Sequence, residues 1–289
     1  MTSMLSRRNF LAAVSAAGLW SAGGERGSAA EETTALPTVK LGDLQVTRLI
    51  MGSNPFSGYS NLSAELSREM VEYYTPERIK QVLEEGSRRG IKTLIALAND
   101  HIIGVLTEYW AEGGGLRDWI AQIDVPEQQM DANIDRAADA GAKAAFIQGR
   151  RVDRIYGEGR LADLAERLER IKGKGLPAGL AAHRPDVHPE AERLGLPTDF
   201  YMQCFYNLAE HPKQYLAPDR DQAVAVIRSL PKPCIGYKVM AAGLNEPEEA
   251  YSFAFRHLKP SDAVCVGFFT KHRPHEIRQG VELTRKHAR

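Results

Sequence analysis

Residues Leu161–Pro185 read LADLAERLERIKGKGLPAGLAAHRP, and this stretch carries the repeating unit of the fold. Leu161, Leu164, Ala165, Leu168 and Ile171 fall on one side of a helix over Leu161–Lys172, with the charges elsewhere. Gly173 stands at its end, where a left-handed residue is wanted. Pro177–Pro185 is then a short apolar run closing on His183 and Arg184, which reads as a strand.

The same alternation runs through the rest of the chain. Further strand candidates are Leu49–Ser57, Lys92–Asn99, Asp118–Val125, Ala144–Gly149, Asp199–Asn207, Cys234–Gly243 and Ala263–Lys271. Helical stretches lie between most of them. Thr75-Pro76-Glu77 marks a helix start, and Asn245–Glu248 fits a capping box. Gly86, Gly141 and Gly195 stand near helix ends, as Gly173 does. The weakest unit is the second, where Ile102–Glu112 makes a short helix. Eight strand-then-helix units predict an α/β fold, a (β/α)8 TIM barrel over residues 49–289. An open doubly wound sheet is the alternative. It wants a Gly-rich phosphate turn after the first strand, and none is present; Gly113-Gly114-Gly115 reads as a loop. The long connection Asn54–Tyr74 reads either as a lid or as a surface loop.

Ahead of the barrel, Arg7 and Arg8 precede a weakly apolar run, Phe10–Ala22, too short to span a bilayer. Small residues follow at Ser28, Ala29 and Ala30. Residues 1–30 therefore read as a twin-arginine signal peptide, with residues 31–48 as linker and barrel entry. The expectation is export in folded form to the periplasm by the twin-arginine machinery, with no membrane anchor after cleavage. Cleavage after Ala30 removes Arg7, Arg8, Arg26 and Glu25, so the 37 basic and 37 acidic residues become 34 and 36. Such a balance gives no reason to bind nucleic acid or an anionic membrane. Cys204, Cys234 and Cys265 sit in apolar runs and read as core residues rather than as a disulfide framework or a zinc site.

In a barrel of this kind the carboxyl ends of the strands build the site. Asn54, Gln122, Gln148 and Asn207 make an amide-rich rim that both donates and accepts hydrogen bonds, suited to a sugar-like substrate. Asp100, His101, His183 and Lys238 are the candidate catalytic residues. The first three could hold a divalent metal. Lys238 could act as a base, form a Schiff base, contact phosphate or sit in a structural ion pair. A glycosidase carboxylate pair is poorly supported, because Asp100 and Asp124 are the only acids well placed.

From about Ala140 onward the chain resembles the aldo-keto reductases. The likeness rests on three stretches: Gly175–His183; Asp199–Leu208, with a Gln followed by Tyr-Asn-Leu; and Tyr237–Gly243 with Glu248–Ala254 and Ala263–Gly267. The resemblance implies a barrel and carbonyl reduction with NADP or NAD. It places Gln203 and Tyr206 at the nicotinamide, puts Arg184 in the usual carboxamide-holding pair, and offers Lys271 and Arg273 to a phosphate. The family's Asp, Tyr, Lys and His do not carry over: Ile95, Asp100, Gln122 and Gln148 stand in their places. Two enzyme readings follow. One is an exported oxidoreductase with His101 or His183 as proton donor. The other is a lyase, epimerase or isomerase working through Asp, His and Lys or a metal. A non-catalytic sugar-binding barrel is the third.

Overall fold

The computed structural model describes residues 35–206 and 215–288. The leader read at residues 1–30 therefore lies outside the described residues, as does Asn207.

Eight parallel strands close on themselves: β3 (Leu49–Gly52), β4 (Thr93–Leu97), β5 (Asp118–Ile123), β6 (Ala144–Ile147), β7 (Ala178–Ala182), β8 (Phe200–Cys204), β9 (Cys234–Tyr237) and β10 (Ala263–Gly267), with β10 pairing β3. Every strand candidate contains one of them, so the fold is the expected (β/α)8 barrel. The helices outside are α1 (Ala64–Tyr73), α2 (Pro76–Arg88), α3 (Asp100–Ala111), α4 (Met130–Asp139), α5 (Gly149–Gly157), α6 (Ala165–Gly173), α7 (Val187–Arg193), α8 (Ala217–Ser229), α9 (Pro247–His257) and α10 (Glu276–His287). Among the described residues no helix is long and apolar enough to cross a membrane.

Strand periodicity sorts the core into two layers. Leu49, Met51, Trp119, Ala121, Leu180 and Tyr201 point outward and pack under the helices. Ile50, Ile95, Ile120, Phe146, Ala181, Phe200, Met202 and Ile235 point inward and fill the barrel. Residues 31–48, read as linker and barrel entry, contain a hairpin. β1 (Thr38–Leu41) pairs antiparallel with β2 (Leu44–Thr47), and Val39, Leu41 and Val46 pack onto the inward layer. Gly42, at φ 57, supplies the left-handed residue that its two-residue turn needs.

Local signals hold in part. Thr75 caps α2, accepting a hydrogen bond from Arg78 N at 3.3 Å. Leu161–Leu164 is a tight turn leading into α6 rather than its first turn. Gly141 and Gly195 are left-handed, at φ 93 and 66. Gly86 instead lies inside α2, where a β-carbon would stand 2.5 Å from Met51 Cε. No capping box forms at Asn245. Its amide reaches across the loop instead, donating to Tyr206 Oη at 2.6 Å and to Val239 O at 3.2 Å.

Candidate active site

A cavity of about 770 Å3 opens at the carboxyl ends of the strands. Its polar floor is the upward continuation of the inward layer. Gln122 lies two residues beyond Ile120, Gln148 two beyond Phe146 and His183 two beyond Ala181. All three line the cavity, as does Asn54 just after β3. Gln148 also caps α5, its Oε1 accepting from Arg151 N at 3.2 Å, and Arg151 is tied to Asp124 at 2.9 Å.

His183 is the most organised of these side chains. It is 7% exposed, and its Nδ1–H donates to Asp153 Oδ2 at 2.8 Å. The backbone amides of His183 and Arg184 donate to the same carboxylate at 3.2 and 3.3 Å. A carboxylate that already accepts from two backbone amides has no proton to give and can only accept from the ring as well, so the proton sits on Nδ1 and the Nε2 lone pair is left for the cavity. Burial holds the imidazolium below its ordinary value, against the pull of Asp153 and with help from Lys238. Tyr237 stacks edge-on at 5.7 Å, its hydroxyl donating to Ala182 O at 3.0 Å. A β-carbon on Gly149 would stand 3.1 Å from both His183 Nδ1 and Tyr237 Oη, so the glycine lets the two side chains seat.

Lys238 should point outward by strand alternation, since Ile235 and Tyr237 face in. Its backbone is left-handed, at φ 60, and the side chain lines the cavity. Ala241 and Ala242, at φ 46 and 57, continue the irregular loop. Left-handed backbone at non-glycine positions is costly and gathers at functional sites. Burial pushes the Lys238 ammonium down, and the Arg150 guanidinium adds to this while Cys204 and Asp153 oppose it. Neither the Lys238 nor the Arg150 side chain makes a hydrogen bond or ion pair among the described residues, and both residues line the cavity.

The remaining candidates lie elsewhere. Asp100 and His101 begin α3, because Asn99 caps that helix and turns the chain off the barrel axis. Asp100 is exposed and paired with Arg136, and neither residue lines the cavity. No group of three metal-binding side chains occurs among the described residues, so Asp100, His101 and His183 do not form the metal site considered above. Gln203 shares the outward parity of Tyr201. It is 1% exposed, and its Nε2 donates to His183 O at 3.0 Å, behind the cavity wall. Tyr206 is buried against Asn245. Arg184 pairs with Asp186 at 2.7 Å over the Tyr156 ring. Lys271 pairs with Glu69 at 2.7 Å. Of the five residues assigned to a nicotinamide nucleotide, only Arg273 lines the cavity. The other four are paired or buried elsewhere, so the described geometry does not gather the five at one nucleotide site.

Asn54–Tyr74 roofs the cavity: Tyr59, Asn61, Leu62, Leu66 and Met70 line it. Glu69 fastens this roof to the loop after β10 through Lys271 and through His272 at 2.8 Å. All three cysteines are free, and burial pushes the Cys265 thiol up to about 12.

These features define a (β/α)8 barrel with a polar, roofed cavity at the strand ends. No protein-family model matches the chain, and no curated protein matches it in sequence. Solved structures do match in shape. Two from Pseudomonas aeruginosa, each provisionally assigned as an aldo-keto reductase, share 17% and 16% identity at TM-scores of 0.57 and 0.58. The matches cover 86% and 88% of this chain and 94% and 99% of theirs. A provisionally assigned deoxyribose-phosphate aldolase of Coccidioides immitis has 13% identity and a TM-score of 0.51, over 82% of this chain and 83% of its own. At such identities the likeness is one of fold.

Proposed function

We propose that the protein is an enzyme of proton transfer, an epimerase, isomerase or lyase, acting on a sugar-like hydroxycarbonyl compound. The observation that carries this reading is the 2.8 Å bond from His183 Nδ1 to Asp153, which leaves Nε2 for the cavity. His183 Nε2 takes the proton from the carbon beside the substrate carbonyl. The electron pair moves onto the carbonyl oxygen, which the Lys238 ammonium polarises and protonates. Return of a proton to the same or the neighbouring carbon gives an epimer or isomer. Asp153 is a positioning residue that fixes the tautomer. Asn54, Gln122 and Gln148 hold the hydroxyls.

Incubation with aldoses, ketoses and their uronates in deuterated water tests this. Deuterium enters at carbon with the wild type and no added nucleotide, and His183→Gln lowers the rate about 100-fold or more. A nicotinamide-linked reduction is the second reading. Its support is Arg273 in the cavity and the fold shared with barrels assigned as aldo-keto reductases. Nucleotide-dependent turnover without carbon exchange would select it. We also infer export by the twin-arginine route, supported by the order of Arg7-Arg8, apolar run and small residues within positions 6–30.

A further inference from the structure

A hydroxyl and a carboxyl oxygen lie buried at the edge of the cavity without partners among the described residues, three strands round the barrel from His183. Tyr251, on α9, is 2% exposed, and among the described residues its hydroxyl makes no hydrogen bond. Glu276, the first residue of α10, has a buried Oε1 that is equally unpartnered. Both line the cavity. Gly280, one turn along α10, preserves the space: a β-carbon there would stand 2.6 Å from Tyr251 Oη and 3.2 Å from the Phe268 ring. Folded proteins satisfy nearly all buried polar atoms, and each one left unmet costs stability. Two such atoms on neighbouring residues that line one end of the cavity are accounted for by a ligand that seats there and draws them into hydrogen bonds.

The chemistry of the pair narrows that ligand. Burial pushes the Glu276 carboxyl up to about 8, with Arg273 as the opposing cation. At neutral pH Glu276 is mainly the protonated acid, so both groups donate and accept, as a sugar hydroxyl does. The cavity volume of about 770 Å3 is that of a site for a drug-sized ligand.

We propose that Tyr251 and Glu276 form a distal subsite for the hydroxyls of a second sugar unit, so that the substrate is a disaccharide or short oligosaccharide with a reducing, hydroxycarbonyl end. This rests on the sugar-like reading above and adds the size of the substrate to it.

Calorimetric titration with maltose, cellobiose and lactose, each against glucose, tests the proposal. At least one disaccharide binds about tenfold tighter than glucose, and Tyr251→Phe and Glu276→Gln each remove most of that advantage while leaving glucose unchanged. A thermal melt of the empty protein supplies a second readout. Tyr251→Phe raises Tm, because it deletes an unmet hydroxyl, whereas a hydroxyl of structural value would lower it on removal. Equal affinity for one and two rings, no binding by any of these sugars, or an advantage that survives both substitutions overturns the subsite. Failure of the proton-transfer reading looks different: disaccharides bind as described, but no deuterium enters any of them.

Discussion

Glu276 is a carboxyl whose ionisation works against the fold, and this has a pH signature. Its ordinary value of 4.5 applies to the unfolded chain, and burial raises the folded value to about 8. Between these limits the folded state keeps a proton that the unfolded state has released, so its contribution falls as pH rises from about 4.5 to 8 and is level above that. Denaturation midpoints across this range should show Glu276→Gln gaining on the wild type as pH increases; parallel profiles would contradict the burial. Other site residues were legible in the sequence to the degree that strand parity was applied. Gln122, Gln148 and His183 continue the faces of Ile120, Phe146 and Ala181, and all three reach the cavity. Gln203 falls on the other face with Tyr201, so the alternation that marks it as a strand also turns it away. Lys238 breaks that rule by a left-handed backbone, which no period-2 pattern announces. Asp153 sits among the charges of α5, 30 residues before His183, and nothing in its spacing separates it from a solvated helix position.

Among the elements, the N-terminal hairpin is the clearest addition to the sequence reading. Val39 and Leu41 alternate with polar residues, then Gly42-Asp43, then Leu44 and Val46, which is the pattern of a two-residue hairpin. Following the leader-like residues the segment reads as linker and barrel entry, and it seats on the inward layer of the barrel. Leu41 is fully buried there, so Leu41→Ala should cost about 2–5 kcal/mol in chemical denaturation. A loss below about 0.5 kcal/mol, the scale of a surface change, would show the hairpin to be dispensable. The roof over Asn54–Tyr74 was open between lid and surface loop. Ser63 caps α1, accepting from Leu66 N at 3.1 Å, and the helix places Leu66 and Met70 over the cavity.

Across the whole molecule, fold and site follow different rules. The barrel was legible because eight apolar runs and their intervening helices repeat one simple pattern. The reaction was not, because the side chains that meet in the cavity come from five or more separate units and form no local motif. Location is a further whole-chain property. If residues 1–30 are a twin-arginine leader, replacing Arg7 and Arg8 with lysine should hold the protein in the cytoplasm, as fractionation would show; unchanged export would contradict that reading. The central claim is that His183, set by Asp153, moves a proton. The most direct test is the rate of deuterium incorporation into sugars as a function of pH, without nucleotide. The account predicts a bell whose limbs lie below the ordinary values of about 6.5 for histidine and about 10.4 for lysine, with the rate reduced about 100-fold in Asp153→Asn. No incorporation by the wild type at any pH, with NADPH consumed on the same sugars, would contradict it.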